Sequence, residues 1–179
     1  MLIEHAKSQL LLVDLQERLV PAMIDPTGLT RRAGTLLGAA RQMGVPVLAT
    51  EQYPAGLGKT VAEITANLGP EEIFAKTEFS AYANPALRHI LDQSPAQIVL
   101  AGIEAHVCIL QTAIELRQAG REIFLVTDVT SSRAPESKAT ALHRLAAAGV
   151  HLVTLEMVLF EWLRRSDRPE FKPISQTIR

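Results

Sequence analysis

Three residues of this chain could do chemistry together: its single cysteine, Cys108, and the charged residues Asp14 and Lys76. Each of the three follows a short apolar run of the kind that forms a β-strand. A thiol needs help to become a thiolate at neutral pH. We expect Lys76 and the amino end of a helix at Cys108 to lower the pKa of the thiol, while Asp14 accepts its proton. Together these residue types predict nucleophilic hydrolysis, with Asp14 returning the proton to a leaving amine.

Each of these residues also has an ordinary structural interpretation. A lone cysteine is commonly a buried small hydrophobic residue, and an aspartate after a strand is commonly a helix cap or a turn former. The combination of an acid, a base and a thiol, rather than Cys108 alone, favours catalysis. Backbone N–H groups in residues 102–108 would then supply an oxyanion hole.

Apolar runs and glycines predict the elements that position these residues. Three helical stretches end in a glycine followed closely by an apolar run, at Gly44, Gly120 and Gly149. This alternation predicts an α/β fold with three layers (α/β/α), in which helices cover both faces of a doubly wound, six-stranded parallel sheet. The predicted strands lie at residues 9–13, 45–49, 73–75, 98–101, 123–126 and 152–153. Ligands bind at the carboxyl edge of such a sheet, which is where Asp14, Lys76 and Cys108 would meet.

Composition narrows the class of protein further. The chain has 179 residues, 47% of them hydrophobic, and a formal net charge of -1. These values suit a single domain spanning residues 1–179 that binds a small-molecule substrate, with no nucleic-acid partner and no membrane partner. A single cysteine predicts a reducing, cytoplasmic location. The segment from about residue 166 to the end, with two prolines and many polar residues, is predicted to be a surface tail.

Three motifs in this order resemble the isochorismatase-like hydrolase superfamily, which includes nicotinamidases, N-carbamoylsarcosine amidases and isochorismatases. They are Leu-Leu-Val-Asp-Leu-Gln around Asp14, Lys-Thr-Glu-Phe-Ser-Ala-Tyr from Lys76, and Gly-Ile-Glu-Ala-His-Val-Cys ending at Cys108. The resemblance covers roughly residues 9–163. The Thr-Glu-Gln-Tyr-Pro stretch from Thr50 is most similar to the isochorismatase domain-containing proteins.

The resemblance implies a catalytic triad of Asp14, Lys76 and Cys108 on a Rossmann-like sheet of strand order 3-2-1-4-5-6. It also implies a non-proline cis peptide between Ile103 and Glu104, and an oxyanion hole formed by the backbone N–H groups of Glu104 and Cys108. Relatives commonly form homo-oligomers, dimers or larger assemblies. Ala105 departs from the family pattern, because most relatives have a threonine there.

The residues after the second predicted strand argue against a metal. Nicotinamidases carry an aspartate and several histidines there, whereas this chain has Glu51 to Pro54 and no histidine between that stretch and His89. We therefore expect neither a metal nor any other cofactor. Retention of the cysteine favours amide or related acyl substrates, which would react through a thioester.

Five further residues are candidates for the wall of a substrate pocket, although aromatic residues at such spacing are more often part of a core. They are Gln52, Tyr53, Phe79, Tyr82 and His106. His106 admits a second interpretation, as the base of a Cys-His pair, but the tight turn between it and Cys108 favours a loop or pocket-wall histidine.

Two other functions stay open at this point. One is an oligomeric binding or scaffold protein with little catalysis, which the alanine at position 105 suggests. The other is an isochorismatase-type vinyl-ether hydrolase, which would depend on Asp14 and not on Cys108. The reactivity of the thiol separates the first of these from a cysteine hydrolase.

Overall fold

A parallel sheet forms the centre of the molecule in the computed structural model, which describes residues 1–178. Its strands are β1 (Ser8–Val13), β2 (Val47–Gln52), β3 (Ile73–Lys76), β4 (Gln97–Ile103), β5 (Glu122–Ser131) and β6 (His151–Val153). The order β3-β2-β1-β4-β5-β6 places β1 and β4 at the centre, and all neighbouring pairs run parallel. The predicted doubly wound sheet and its strand order are confirmed.

Helices connect the strands and cover both faces of the sheet. The predicted glycine stops are confirmed, because Gly44, Gly120 and Gly149 have φ angles of 67°, 83° and 80°, a region that disfavours other residues. Within residues 1–178, no helix combines the length and the apolar character needed to cross a bilayer. The helices are α1 (Pro26–Gln42), α2 (Pro54–Leu57), α3 (Ala62–Thr65), α4 (Pro85–Gln93), α5 (Leu110–Gln118), α6 (Pro135–Ala147), α7 (Leu155–Leu163) and α8 (Phe171–Ser175).

Side chains of the central strands alternate between two apolar clusters, one on each face of the sheet. Leu10 and Leu12 of β1 belong to the cluster that also contains residues of α1 and α7. Leu11 and Val13 belong to the opposite cluster, together with residues of α4, α5 and Cys108. β1 and β4 are buried along their whole length, as strands covered on both faces must be. Cys108 therefore lies on the same face of the sheet as Leu11 and Val13.

β2 and β5 differ most from the sequence prediction. β2 begins and ends later than residues 45–49, so that the polar residues Thr50, Glu51 and Gln52 belong to the strand and are buried. β5 ends at Ser131, five residues beyond the predicted end at residue 126. An apolar run does not mark the end of β2, because its last three side chains are stabilised by hydrogen bonds instead of by apolar contacts.

The C-terminal segment packs against its own domain. Ile174 of α8 is buried in the core cluster, and Phe171 and Ile178 pack against that cluster. The segment predicted as a surface tail from about residue 166 is thus anchored by apolar contacts. Arg179, the last residue of that predicted tail, lies outside the described residues.

Candidate active site

Asp14 lies directly after β1, at the carboxyl edge of the sheet. Its φ angle of 55° puts it in the left-handed region, which aspartate tolerates better than most residues, and it is 1% exposed. Thr50 of β2 donates a hydrogen bond of 2.6 Å from its hydroxyl to Asp14 Oδ1. The Asp14 backbone N–H donates to the Thr50 carbonyl oxygen at 3.1 Å. Both bonds fix the carboxylate at the end of β1, beside β2.

Lys76 ends β3 and points toward the same carboxylate. Its ammonium group donates to Asp14 Oδ2 at 2.8 Å, and the two side chains form an ion pair that is almost fully buried. A buried charge is tolerated only when it is paired and hydrogen-bonded. Lys76 Nζ has three further oxygen partners: Gln52 Oε1 at 2.6 Å, and the carbonyl oxygens of Glu78 and Phe79 at 3.2 Å each.

Cys108 lies in a π-helical turn, Ala105–Ile109, that leads into α5. The Ile109 N–H donates to the Glu104 carbonyl oxygen at 3.2 Å, a bond that spans five residues. Such turns are rare and often occur at functional sites. The turn puts the thiol on the face of the sheet that carries Val13, where it is 6% exposed.

The electrostatic surroundings of Cys108 differ from the sequence expectation. Burial, followed by the negative charge of Asp14, raises the pKa of the thiol to about 12, although Lys76 acts in the opposite direction. Lys76 lowers the thiol pKa as expected, but the expected net lowering is wrong. Desolvation of a thiolate outweighs the single positive charge nearby, because that charge is already paired with Asp14. At neutral pH the Cys108 thiol therefore keeps its proton.

The peptide bond between Ile103 and Glu104 is cis, at the position that the family resemblance indicates. Gly102, just before it, has a φ of 123°, and a Cβ atom there would lie 2.1 Å from the Val13 carbonyl oxygen. Only glycine allows β4 to approach the end of β1 so closely. The side chain of Glu104 turns away to Arg133, whose backbone N–H and Nε donate to Glu104 Oε2 at 3.0 and 3.1 Å.

The predicted pocket residues occupy different surroundings. Gln52 is buried, and its amide is committed to Lys76 and to the Thr77 carbonyl oxygen rather than to an open pocket. Tyr53 and Phe79 are 56% and 54% exposed, and both adjoin Lys76 through backbone groups.

The last two predicted pocket residues are held by partners outside the triad. The Tyr82 hydroxyl donates to Asp92 Oδ1 on α4 at 2.7 Å. His106 Nδ1 lies 3.0 Å from Ser132 Oγ, and His106 lines a cavity of about 300 Å³ together with residues of α6. None of the triad residues lines this cavity, so a place for His106 in the wall of the substrate pocket stays a prediction.

Two buried polar residues that contact this site were not among the predicted site residues. Thr50 binds Asp14 directly, and Gln16, two residues after Asp14, bonds to the backbone of Gln52. Both stand inside motifs that carry the family resemblance, which is the only signal in the sequence that could have found them. Within residues 1–178, no group of three or more His, Cys, Asp and Glu side chains is arranged to hold a metal ion.

Comparison with known proteins assigns this geometry to a family. A family model described as the isochorismatase domain matches residues 8–157. The chain belongs to the isochorismatase domain family. Isochorismatase domain-containing protein 1 of Danio rerio is 40% identical over 168 residues, which make up 93% of this chain. The chain spans only 59% of the length of that relative.

Solved structures of other proteins share the fold across nearly the whole chain. The structure described as MAR1 ribonuclease from Caenorhabditis elegans is 34% identical, with a TM-score of 0.93, and the match covers 99% of this chain and 92% of that one. YcaC from Escherichia coli, described as an octameric hydrolase of unknown specificity, is 21% identical with a TM-score of 0.89. That match covers 99% of this chain and 96% of YcaC. These matches show that the chain shares its fold with both proteins over nearly its whole length.

Proposed function

We propose that the protein is a cofactor-independent cysteine hydrolase that cleaves the C–N bond of a small amide-like substrate. The observation that carries the proposal is the position of the Asp14 carboxylate, which is 2.8 Å from the ammonium group of Lys76 and close enough to Cys108 for its negative charge to raise the pKa of the thiol. A buried nucleophile, a proton acceptor and a fixed positive charge at the carboxyl edge of a parallel sheet suit acyl transfer.

The first half of the reaction forms a thioester. Cys108 Sγ attacks the carbonyl carbon of the substrate while Asp14 takes the thiol proton, so that no free thiolate has to exist beforehand. Lys76 keeps the carboxylate oriented and balances its charge. The tetrahedral intermediate collapses as the C–N bond breaks, and Asp14 gives its proton to the departing nitrogen. The amine or ammonia leaves, and the acyl group stays on sulfur.

The second half consumes one water molecule. The oxygen of water attacks the thioester carbon while Asp14 accepts a proton from that water. The C–S bond then breaks, the proton returns to sulfur, and the carboxylic acid leaves. The backbone N–H groups of Glu104 and Cys108 serve as donors to the oxyanion in both halves, where one such donor contributes about 2.7 to 4 kcal/mol. No metal takes part in this scheme.

The experiment is a screen of primary amides and N-carbamoyl compounds for release of ammonia, followed by variants. Cys108→Ala and Asp14→Asn are expected to reduce turnover to background. Asp128→Asn is a matched control for the second variant, because Asp128 also follows an apolar run and accepts a backbone hydrogen bond, from Leu155, away from the triad. Full activity of Cys108→Ala toward an amide would overturn the assignment of Cys108 as the nucleophile.

A second candidate function is the hydrolysis of RNA or of a vinyl ether. This reaction would need Asp14 and Lys76 but not the Cys108 thiol. The observation in its favour is the 34% identical structure described as a ribonuclease. Against RNA stands the formal net charge of -1, which gives no general attraction to phosphates. Cleavage of a labelled single-stranded RNA by both the unmodified protein and Cys108→Ala would favour this candidate. Loss of all activity in Cys108→Ala favours the cysteine hydrolase.

The proposal extends to assembly and location. A homo-oligomer is consistent with the exposed aromatic rings of Tyr53 and Phe79 and with the octamer described for YcaC. The alternative is an oligomeric binding or scaffold protein with little catalysis, which an oligomer without hydrolase activity would favour. A cytoplasmic location suits one unpaired thiol in a reducing compartment.

A further inference from the structure

Gln16 is a buried amide whose hydrogen-bonding groups are all used at the edge of the candidate site. It is fully buried, and its Oε1 accepts a hydrogen bond of 2.7 Å from the Gln52 N–H. Its Nε2 donates to the carbonyl oxygens of Gln52 at 3.0 Å and of Gly58 at 2.8 Å. One side chain therefore contacts both backbone polar groups of Gln52.

This arrangement continues the sheet beyond the end of a strand. β1 pairs with β2 only as far as Val13 opposite Thr50, because the chain turns away at Asp14. Two residues later, Gln52 has β3 on one side, opposite Lys76, and no strand of the sheet on the other. The amide of Gln16 fills that position with one donor and one acceptor, which is the pattern that a strand backbone would present.

The conformation of Gln52 matters because its side chain reaches Lys76. Gln52 Oε1 lies 2.6 Å from Lys76 Nζ, and Lys76 in turn binds Asp14. Side chains alternate along a strand, so Gln52 points toward Lys76 only while residue 52 remains extended and in register. The bond from Gln16 to Gly58 also fastens the far end of the segment that carries the exposed ring of Tyr53.

We propose that Gln16 is a positioning residue for the hydrolysis. Its amide holds the last residue of β2 in strand geometry, so that Gln52 presents its oxygen to Lys76 and Lys76 stays beside Asp14 and Cys108. The role of Gln16 in catalysis rests on the proposed function. Its geometric content is that Gln16 acts on Lys76 through Gln52.

A double-mutant cycle on the thiol tests this route without requiring turnover. The variants are Gln16→Met, Gln52→Met and the double variant, and the measurement is the rate of alkylation of Cys108 by iodoacetamide at pH 8. Lys76 lowers the thiol pKa, so its displacement leaves less thiolate. We expect each single variant to slow alkylation about tenfold, the change given by one pKa unit, and the double variant to be no slower than Gln52→Met.

Gln97→Met is a matched control at the other end of the strands, because Gln97 is the first residue of β4. Gln97 is also a buried glutamine that binds the backbone through both amide atoms, with Oε1 accepting from the Glu4 N–H at 2.7 Å and Nε2 donating to the Leu2 carbonyl oxygen at 3.1 Å. It is expected to lose stability as Gln16→Met does, yet to keep the alkylation rate of the unmodified protein. A purely structural role for Gln16 predicts that these two variants behave alike.

Independent effects that multiply in the double variant would overturn the proposal, and so would an unchanged alkylation rate in Gln16→Met. If Gln16→Met does not fold, Gln16→Asn replaces it, since the shorter amide stays polar and adds no charge but cannot make the same bonds to Gln52 and Gly58. Absence of amide turnover in the unmodified protein would count against the proposed function alone. The alkylation cycle would still decide the role of Gln16.

Discussion

The two oxygens of the Asp14 carboxylate have separate partners, which explains how one residue can serve a thiol. Oδ1 accepts from the Thr50 hydroxyl and Oδ2 accepts from Lys76, so the group cannot rotate away from Cys108 without losing a buried hydrogen bond. Asp14 also raises the pKa of the thiol that it would deprotonate. In the proposed mechanism, proton transfer during the attack would resolve this opposition, because the carboxylate would lose its charge as sulfur becomes nucleophilic.

Replacement of Asp14 by asparagine is expected to change two properties of Cys108 in opposite directions. Removal of the negative charge lowers the thiol pKa, so iodoacetamide should alkylate Asp14→Asn faster than the unmodified protein at pH 8. Amide turnover should fall to background, because no group accepts and returns the proton. Parallel measurement of both rates checks this, with Asp128→Asn unchanged in each. Slower alkylation in Asp14→Asn would contradict the charge arrangement described above.

The pH dependence of thiol alkylation follows from the same surroundings. With its pKa raised to about 12, Cys108 should react with iodoacetamide at a rate that keeps rising from pH 7 to 11, without a plateau near 9. Because the folded state holds the proton more tightly than the unfolded chain, the thiol favours folding below about pH 9, and that contribution is lost as the pH rises toward 12. A rate that levels off near pH 8.5 would contradict the burial of the thiol.

At the scale of elements, the sequence predicts those parts of the sheet where apolar contacts alone decide the structure. The runs that form β1 and β4 are apolar, and Gly44, Gly120 and Gly149 mark the helix ends by their backbone freedom. The end of β2 was not predicted, since its polar side chains belong in a strand only because partners distant in sequence bind them. The strand positions of Thr50 and Gln52 therefore depend on Asp14 and Lys76, which a pattern of neighbouring residues does not include.

Gly102 is the position in β4 where a single methyl group should damage both the fold and the site. A Cβ atom would meet the Val13 backbone, and the φ of 123° is unfavourable for alanine. We expect Gly102→Ala to lower the free energy of unfolding by about 4 kcal/mol or more, in the range of severe core defects. Urea denaturation measures this value.

Gly38→Ala is the matched control for that measurement. Gly38 lies within α1, and a Cβ atom there has no neighbour within 4 Å. Alanine should stabilise this helix by about 0.5–1 kcal/mol. Equal effects of the two substitutions would show that the close approach of β4 to β1 carries no special cost.

At the scale of the whole molecule, strand order and the edge that carries the site could be predicted from the sequence, whereas the depth of the site could not. Topology brings Asp14, Lys76 and Cys108 to one edge whatever their exact surroundings. The pKa of Cys108 depends on burial in three dimensions, and the commitment of Gln52 to Lys76 depends on a side-chain direction. Neither quantity is encoded in spacing.

The exposed apolar side chains predict association of the folded chain with copies of itself. Tyr53 and Phe79 adjoin the site, while Met157 and Phe160 expose 46% and 42% of their surface on α7. Light scattering at micromolar concentration should therefore give a mass that is a multiple of the 19.5 kDa chain. A mass of one chain at every concentration up to 100 μM or so would contradict the proposed homo-oligomer.

Capture of the acyl intermediate is the most direct test of the assignment of Cys108. An amide substrate found in the ammonia screen would be mixed with the protein, quenched in acid within the first turnover, and analysed by intact-protein and peptide mass spectrometry. The account predicts that the acyl group adds its mass to the peptide containing Cys108, and that Cys108→Ala gains nothing. Turnover of the same amide with no adduct in the unmodified protein, and at an unchanged rate in Cys108→Ala, would contradict it.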